Sequence, residues 1–239
     1  MRRALTVAAL TLAAAAALRA QRTAPEKKPI DWAALSDETT RSLSAYLQLN
    51  TTNPPGNEMR TIAFLKAILL AEGFEVQVLD TAELGPTRGN LYARLKGSGK
   101  KKAIALVHHM DVVPAVASYW TVDPFSGAIK DGFVWGRGAL DMKGQGIVQL
   151  FAMLALKRSG AKLDRDIVFI ANSDEELGGL GAIDFVENHP DLVKDVEFLI
   201  TEGGANPVKD GRLEFYGVSV SEKRTFWQKL TVNGVAGHG

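Results

Sequence analysis

Amphipathic stretches alternate with short, continuous apolar runs along most of this chain. In the amphipathic stretches, apolar residues recur three and four positions apart, which places them on one face of a helix. The stretch that starts at Met142 is apolar around most of its circumference, so we expect a largely buried helix there. The pattern predicts helices from Ser36 or Asp37 (as N-cap) to about residue 49, from residue 57 to a stop at Gly73, over 142–157 and over 180–188.

Three apolar runs bounded by polar residues are typical of strands buried on both faces. They cover residues 103–107, 166–171 and 196–201. Strands alternating with helices predict an α/β fold, a three-layer αβα domain whose central sheet is mostly parallel and covered on both sides. Further strands are predicted at 74–79, at 90–95, in a hairpin over 125–135 that turns at Asp131-Gly132, and from Arg212 onward to 229–233.

The amino-terminal end has the pattern of an export signal. Arg2 and Arg3 precede an apolar, alanine-rich run over 4–18, and Ala20 offers a small residue for cleavage. We therefore predict a signal peptide at 1–20, a polar linker at 21–34, and a protein exported to the periplasm or secreted. The alternative, an uncleaved membrane anchor, is disfavoured because the run is shorter than a membrane-spanning helix requires.

Composition narrows the chemistry. The 239 residues are 46% hydrophobic and 23% charged, which is typical of a globular domain with a real core. A net charge of +1 gives no basic footprint, so nucleic acid is not expected as a partner. Without any cysteine, the chain has no disulfide, thiolate ligand or cysteine nucleophile, and a bound metal must be held by nitrogen and oxygen atoms.

Metal-competent side chains follow each of the three buried strands. Taken singly, each has an ordinary structural explanation: a hydrogen-bonded histidine, an acidic first helical turn, or a turn before glycines. In sheets of this class, however, ligands bind beyond the carboxyl ends of the strands. The coincidence therefore favours a metal site built from His109, Asp111, Glu175, Glu176 and Glu202, with Asp141 placed between a glycine-rich turn and the 142–157 helix.

Spacing suggests how these residues divide the work. His109 and Asp111 point to one face of an extended segment, so Asp111 can orient a metal-ligating imidazole, whereas His108 points away and is structural. Asp141 can give one oxygen to each of two ions, and Glu176 and Glu202 would complete their coordination. Imidazole with hard oxygens suits two Zn²⁺, with Co²⁺ or Mn²⁺ as substitutes. Such a pair activates water, and Glu175 is the predicted general base, its alternative being a surface charge.

Five motifs occur in order along the chain. They are His-Met-Asp-Val-Val-Pro at 109–114, Trp120 with Asp-Pro-Phe at 123–125, Gly-Arg-Gly-Ala-Leu-Asp-Met-Lys-Gly at 136–144, Asp-Glu-Glu at 174–176 and Glu-Gly-Gly at 202–204. The ordered set, in a match from about Asn50 to Gly239, resembles the two-zinc exopeptidases and deacylases, which include aminoacylase, carboxypeptidase S, carboxypeptidase G and succinyl-diaminopimelate desuccinylase. The resemblance implies zinc ligation by His109, Asp141 (bridging), Glu176 and Glu202, with Glu175 as base and a cis peptide after Asp141.

The resemblance also implies a division into domains. Residues 35–222 would form the catalytic domain, and 223–239 the beginning of a smaller α+β lid domain that allows a homodimer. His238, in a Gly-x-x-Gly-His pattern, would bind the substrate carbonyl or the developing oxyanion. The family normally continues to a last histidine ligand that none of the 4 histidines here can supply. We therefore expect an amino-terminal portion that is not fully active alone.

The sequence after Glu202, Gly-Gly-Ala-Asn-Pro, is more similar to the aminoacylase and carboxypeptidase S branch than to the desuccinylases. The resemblance thus implies a metallohydrolase, a metallopeptidase or aminoacylase, that cleaves the amide bond of a dipeptide or an N-acyl amino acid. The rival hypothesis is a secreted, non-catalytic binding module on the same scaffold. The presence of Glu175 and of four ligands favours the enzyme.

Overall fold

A computed structural model describes residues 29–203, 206–218, 220–221, 228–231 and 234. The predicted signal peptide, most of the predicted linker and His238 lie outside the described residues. The chain divides into two compact units between Glu202 and Gly203. The domain boundary expected at 222 and 223 stays a prediction.

The described residues of the first unit form four α-helices and seven strands. The helices are α1 (Trp32–Leu47), α2 (Met59–Ala71), α3 (Lys143–Arg158) and α4 (Leu180–Asn188), with short 3₁₀ turns at Ala82–Leu84, Ala117–Tyr119 and Pro190–Leu192. The strands are β1 (Val76–Asp80), β2 (Gly89–Leu95), β3 (Ala103–His109), β4 (Ile129–Lys130), β5 (Phe133–Val134), β6 (Ile167–Asn172) and β7 (Val196–Ile200). In the second unit, β8 (Val208–Lys209) pairs with β9 (Arg212–Leu213).

The central sheet has the strand order β1-β2-β6-β3-β7. Strand β2 runs antiparallel to both of its neighbours, whereas β3 pairs in parallel with β6 and β7, so β2 alone is reversed. Helices α1, α2 and α3 contribute to the core on one face, and α4 packs on the other. The predicted α/β architecture, with mostly parallel strands and helices on both sides, is confirmed.

Alternation along β6 shows how the sequence builds this sandwich. Ile167, Phe169 and Ala171 belong to the core shared with α1 to α3. Val168 and Ile170 point the other way and belong to the cluster that contains Phe185 of α4. Because both sets are apolar, the strand is buried on both faces, as its composition predicts.

The parallel pairing aligns the carboxyl ends of the strands. His109 of β3 is in register with Asn172 of β6, and Leu106 is in register with Ile200 at the end of β7. The segments that follow these strands therefore start at one edge of the sheet. This edge holds the residues that the sequence singles out for metal binding.

Two expectations need correction. Helix α1 begins at Trp32, because the Asp31 carboxylate caps it by accepting a hydrogen bond from Ala34 N at 3.0 Å; Ser36 and Asp37 lie inside the helix. Strand β7 is not buried on both faces, since Phe198, Leu199 and Ile200 are each about half exposed. Among the described residues, β7 pairs only with β3 and forms the edge of the sheet. An apolar run shows that a strand is suited to burial, but it does not specify which element packs against the strand.

Other expectations are confirmed. The β4–β5 hairpin turns at Asp131 and Gly132, both with positive φ, as a tight turn between paired strands requires. Most of α3 is buried. In the part of the chain that the structure describes, no helix has both the length and the apolar character needed to cross a membrane.

Gly146, within α3, allows the close packing of this helix on β3. A Cβ at this position would overlap the imidazole of His108, which is itself buried against Phe169 and Tyr46. We expect Gly146→Ala to destabilise the protein by about 1–3 kcal/mol, because the ring has little room to move. Thermal unfolding measures the effect, with the exposed Val148→Ala of the same helix as the control. A Gly146→Ala protein as stable as this control would contradict the packing described here.

Candidate metal centre

His109 is the buried centre of the predicted site. Its Nδ1 lies 3.0 Å from the carbonyl oxygen of Asp111 and 3.6 Å from Asp111 Oδ1, so Nδ1–H donates toward that residue. In the neutral ring, this leaves the lone pair on Nε2. Nε2 lies 3.1 Å from Asp141 Oδ1, 3.4 Å from Glu202 Oε1 and 3.8 Å from Glu175 Oε2. The imidazole therefore presents one nitrogen to a group of carboxylates.

His108 has the structural role expected from its position in the strand. Its ring is buried, and its Nε2 lies 3.2 Å from the hydroxyl of Tyr46. Burial lowers the pKa of His108 to about 3, so the ring is neutral at physiological pH. His108 and His109 thus occupy opposite faces of β3.

Asp141 projects from the boundary between the glycine-rich turn and α3. The Asp141–Met142 peptide bond is cis, as the resemblance implies. Although the Asp141 side chain is largely exposed, Met142 and Lys143 beside it are buried. Lys143 Nζ donates to the Leu49 carbonyl oxygen at 2.6 Å and lies 5.0 Å from the centre of the Tyr46 ring. This anchor fixes the backbone from which Asp141 extends.

Asp111 fixes the pair of glutamates that follows β6. Its Oδ1 accepts from Glu175 N at 3.1 Å, and its Oδ2 accepts from Glu176 N at the same distance. Glu176 Oε1 accepts in turn from Val113 N at 3.2 Å. One buried carboxylate therefore contacts His109 and also holds the backbone of both acidic side chains.

The charges of the site are poorly balanced without a cation. Burial and the charge of Asp141 raise the pKa of Glu176. Burial also raises the pKa of Glu202 to about 7, aided by the charges of Asp141 and Glu175 and opposed by His109. For His109, burial would lower the pKa, but its contact with Asp111 and the charges of Glu202 and Glu175 raise it to about 10. The raised pKa values reflect burial first and then neighbouring negative charge, which His109 alone does not offset.

Two groups of side chains are arranged closely enough to hold metal ions. One contains His109, Asp141 and Glu176, and the other contains His109, Glu175 and Glu202, with ligand atoms within 4.8 Å of one another in each. An imidazole nitrogen with several carboxylate oxygens is a donor set that suits Zn²⁺, Co²⁺ or Mn²⁺. The residues present therefore fit a divalent metal centre, and the excess of acidic groups favours more than one ion.

The structure thus brings together His109, Asp111, Asp141, Glu175, Glu176 and Glu202. It also places Asn53, Glu58 and Arg88 directly behind Asp111 and Asp174, which the sequence analysis did not anticipate. The only sequence signal for Asn53 and Glu58 is that they flank the Pro-Pro-Gly turn at 54–56, and such turns are common at surfaces. All three residues lie far in sequence from Asp111 and Asp174, so no local pattern connects them.

Comparisons with known proteins agree with the family resemblance and with the fold. The profile of peptidase family M20/M25/M40 matches residues 105–224. Aminoacylase-1 of Sus scrofa is 32% identical over 199 residues, covering 81% of this chain and 46% of that protein. Succinyl-diaminopimelate desuccinylase of Methylorubrum populi is 31% identical over 209 residues, covering 85% of this chain and 52% of that protein.

Among solved structures, human carnosine dipeptidase 1 superimposes with a TM-score of 0.61 and 25% identity, covering 69% of this chain and 38% of that one. The chain spans about half the length of the curated relatives it matches. The family profile covers half of the chain and includes all four predicted ligands and Glu175. This chain therefore belongs to peptidase family M20/M25/M40.

Proposed function

We propose that this chain carries the metal centre of a zinc-dependent hydrolase that cleaves the amide bond of dipeptides or N-acyl amino acids. One observation carries the proposal: five metal- or proton-binding side chains from four separate segments meet at one edge of the sheet. The similarity to an aminoacylase and to a carnosine dipeptidase supports the substrate class.

His109, Asp141, Glu176 and Glu202 would hold two ions. Asp141 is the proposed bridge, as the family resemblance implies; its carboxylate has an oxygen for each ion, whereas His109 offers only Nε2. When bound, such ions supply a water activated for attack and positive charge that stabilises the developing oxyanion. Zinc is the proposed metal, and the same ligands suit Co²⁺ or Mn²⁺ as substitutes.

Glu175 is the proposed general base. Its side chain is half exposed at the site, and its backbone N–H donates to buried Asp111. The carboxylate is therefore accessible while its backbone is held in place. It would take a proton from the attacking water and deliver it to the leaving amine. Asp111 would act through His109, whose Nδ1–H it orients. His238 is proposed to bind the substrate carbonyl or the oxyanion, a role that concerns a residue outside the described part of the chain.

We propose export through the signal peptide at 1–20 and a homodimer through the lid domain. Amino-terminal sequencing of the exported protein tests the first, and light scattering of the full-length protein tests the second. A mature protein that retains residues 1–20, or a monomer at all concentrations, would contradict these two proposals respectively.

The reaction itself is tested with the full-length protein on a panel of dipeptides and N-acyl amino acids. We expect hydrolysis that a chelator abolishes and that added Zn²⁺ restores. Hydrolysis that persists after the metal has been removed would contradict a metal-dependent reaction. A metal-loaded protein that cleaves none of the panel would favour a binding module instead.

Metal binding should strengthen with rising pH. In the metal-free protein the pKa of His109 is about 10, so a metal that binds Nε2 at pH 7–9 must displace a proton. Below the Glu202 pKa of about 7, a second proton must leave. We therefore expect affinity for Co²⁺ to rise about tenfold per pH unit between pH 7 and 9 and more steeply below pH 7. Calorimetry in buffers of different ionisation enthalpy counts the released protons, and pH-independent binding would contradict this assignment.

A further inference from the structure

The segment that follows α1 runs beside the segment that follows β3. Thr51 Oγ1 donates to the Met110 carbonyl oxygen at 2.6 Å, Val112 N donates to the Thr51 carbonyl oxygen at 3.2 Å, and Asn53 N donates to the Val112 carbonyl oxygen at 2.9 Å. Thr52 and Val112 form a parallel bridge. These backbone contacts place the Asn53 side chain next to Asp111.

The Asn53 amide joins two buried carboxylates. Its Nδ2 lies 2.8 Å from Asp111 Oδ2 and 3.0 Å from Asp174 Oδ1, so it donates one hydrogen to each. Two acceptors at this nitrogen also fix the orientation of the amide, since its oxygen would be repelled there. Asn53 therefore connects the carboxylate behind His109 to the residue that precedes Glu175 and Glu176.

Arg88 holds the far side of Asp174. Its Nη1 donates to Asp174 Oδ1 at 3.0 Å, and its Nε donates to Glu58 Oε2 at 2.9 Å. Glu58 Oε1 also accepts from Asp174 N at 3.3 Å. Gly56 packs so closely that a Cβ there would collide with the Arg88 guanidinium. The guanidinium is thus confined between a carboxylate and the loop of Asn53.

Asp174 in turn sets the path of the chain into the site. It adopts a positive φ of 66°, and its carbonyl oxygen accepts from Gly179 N at 2.6 Å. Its Oδ2 accepts from Leu180 N at 3.3 Å, at the start of α4. The next two residues, Glu175 and Glu176, are then bound through their backbone N–H groups to Asp111. Both ends of this short turn depend on carboxylates that Asn53 contacts.

We propose that Asn53 and Arg88 are positioning residues of the metal centre, which fix Asp111 and Asp174 and thereby the placement of the Glu175–Glu176 pair and His109. This inference rests on the proposed function and deepens it. Asn53, Glu58, Arg88, Asp111 and Asp174 are all at most 7% exposed, so water cannot readily replace a lost donor. Removing one donor would leave a buried carboxylate oxygen short of a hydrogen bond, and the turn would move to reach solvent or another partner.

The test compares Asn53→Leu, a substitution of similar size without donors, with the wild-type full-length protein. Metal-free protein is titrated with Co²⁺, whose visible spectrum reports ligand geometry. Hydrolysis of an N-acyl amino acid that the wild-type protein cleaves gives kcat and KM. We expect Co²⁺ affinity and kcat each to fall about 10–100-fold, with an altered Co²⁺ spectrum and KM changed by no more than about twofold. Arg88→Lys keeps the charge but cannot span Glu58 and Asp174, so we expect an intermediate loss.

Arg94 provides a matched control. It is also an arginine held by two carboxylates, Asp166 and Asp195, but it is only partly buried and lies toward the other end of β2. We expect Arg94→Lys to lower the thermal unfolding midpoint while leaving Co²⁺ affinity, the Co²⁺ spectrum and kcat of the folded protein unchanged. A purely structural role for Asn53 and Arg88 predicts this same result for their variants.

The outcomes separate the two claims. Wild-type protein that binds no Co²⁺ and hydrolyses nothing would refute the proposed function. Active wild-type protein, together with an Asn53→Leu variant of unchanged Co²⁺ affinity, spectrum and kcat, would refute only the positioning role. If Asn53→Leu does not fold, the same three measurements on Arg88→Lys test the positioning role, and unchanged values would refute it.

Discussion

Glu175→Ala is expected to lower kcat by about 10²–10⁴-fold while leaving the metal content of the full-length protein nearly intact. The reason is geometric. The Glu175 carboxylate is half exposed at the site, with Oε2 3.8 Å from His109 Nε2, so it can exchange protons with a substrate without being needed to complete the coordination of the ions. Steady-state kinetics and elemental analysis of the same preparation measure the two quantities.

The exposed Glu187→Ala on α4 serves as the control and should match the wild type in both measurements. Glu175→Ala could also lose metal, because Glu175 groups with His109 and Glu202 at distances that suit an ion. Equal losses of metal and of activity would reassign Glu175 as a ligand and leave the base to be found elsewhere.

Asp141→Ala is expected to remove both ions and to lower kcat by more than the 10–100-fold that is typical of residues behind the ligands. As the proposed bridge, Asp141 would contribute to both ion sites, so its loss should weaken both, whereas Glu202→Ala should weaken one. Isothermal titration with Zn²⁺ of the metal-free variants counts the sites that remain. The exposed Asp37→Ala on α1 controls for a general change in acidity.

An Asp141→Ala protein that still binds two ions with wild-type affinity would show that another group bridges them. Loss of a single ion would mean that Asp141 is an ordinary ligand of one site. Either result would leave the metal centre in place but would change its arrangement.

Much of this architecture could be predicted because its signals are local. The apolar runs that became β3 and β6 carry enough information to place a strand, and parallel strands bring their carboxyl ends together. His109 is the last residue of β3, and Glu176 lies in the short turn after β6, so their convergence follows from topology. The predicted spacing of His109 and Asp111 is likewise a property of one short extended segment.

The remaining features depend on which segments meet in space. Asn53, Glu58 and Arg88 come from two loops and contact Asp174 after a different strand, and no periodicity in the sequence connects them. Polar residues beside Pro-Pro-Gly favour an exposed turn, yet here Asn53 and Glu58 are buried. Asn53 donates to two carboxylates from elsewhere in the chain, and Glu58 accepts from Arg88. The exposure of β7 has a similar origin, since composition does not specify what packs against a strand.

The ion content of the purified full-length protein tests the central claim most directly. After dialysis against metal-free buffer, elemental analysis should find about two divalent ions per chain in the wild type, and anomalous diffraction should place both beside Asp141. A protein that carries no divalent ion, binds none when titrated and retains its activity would contradict the account.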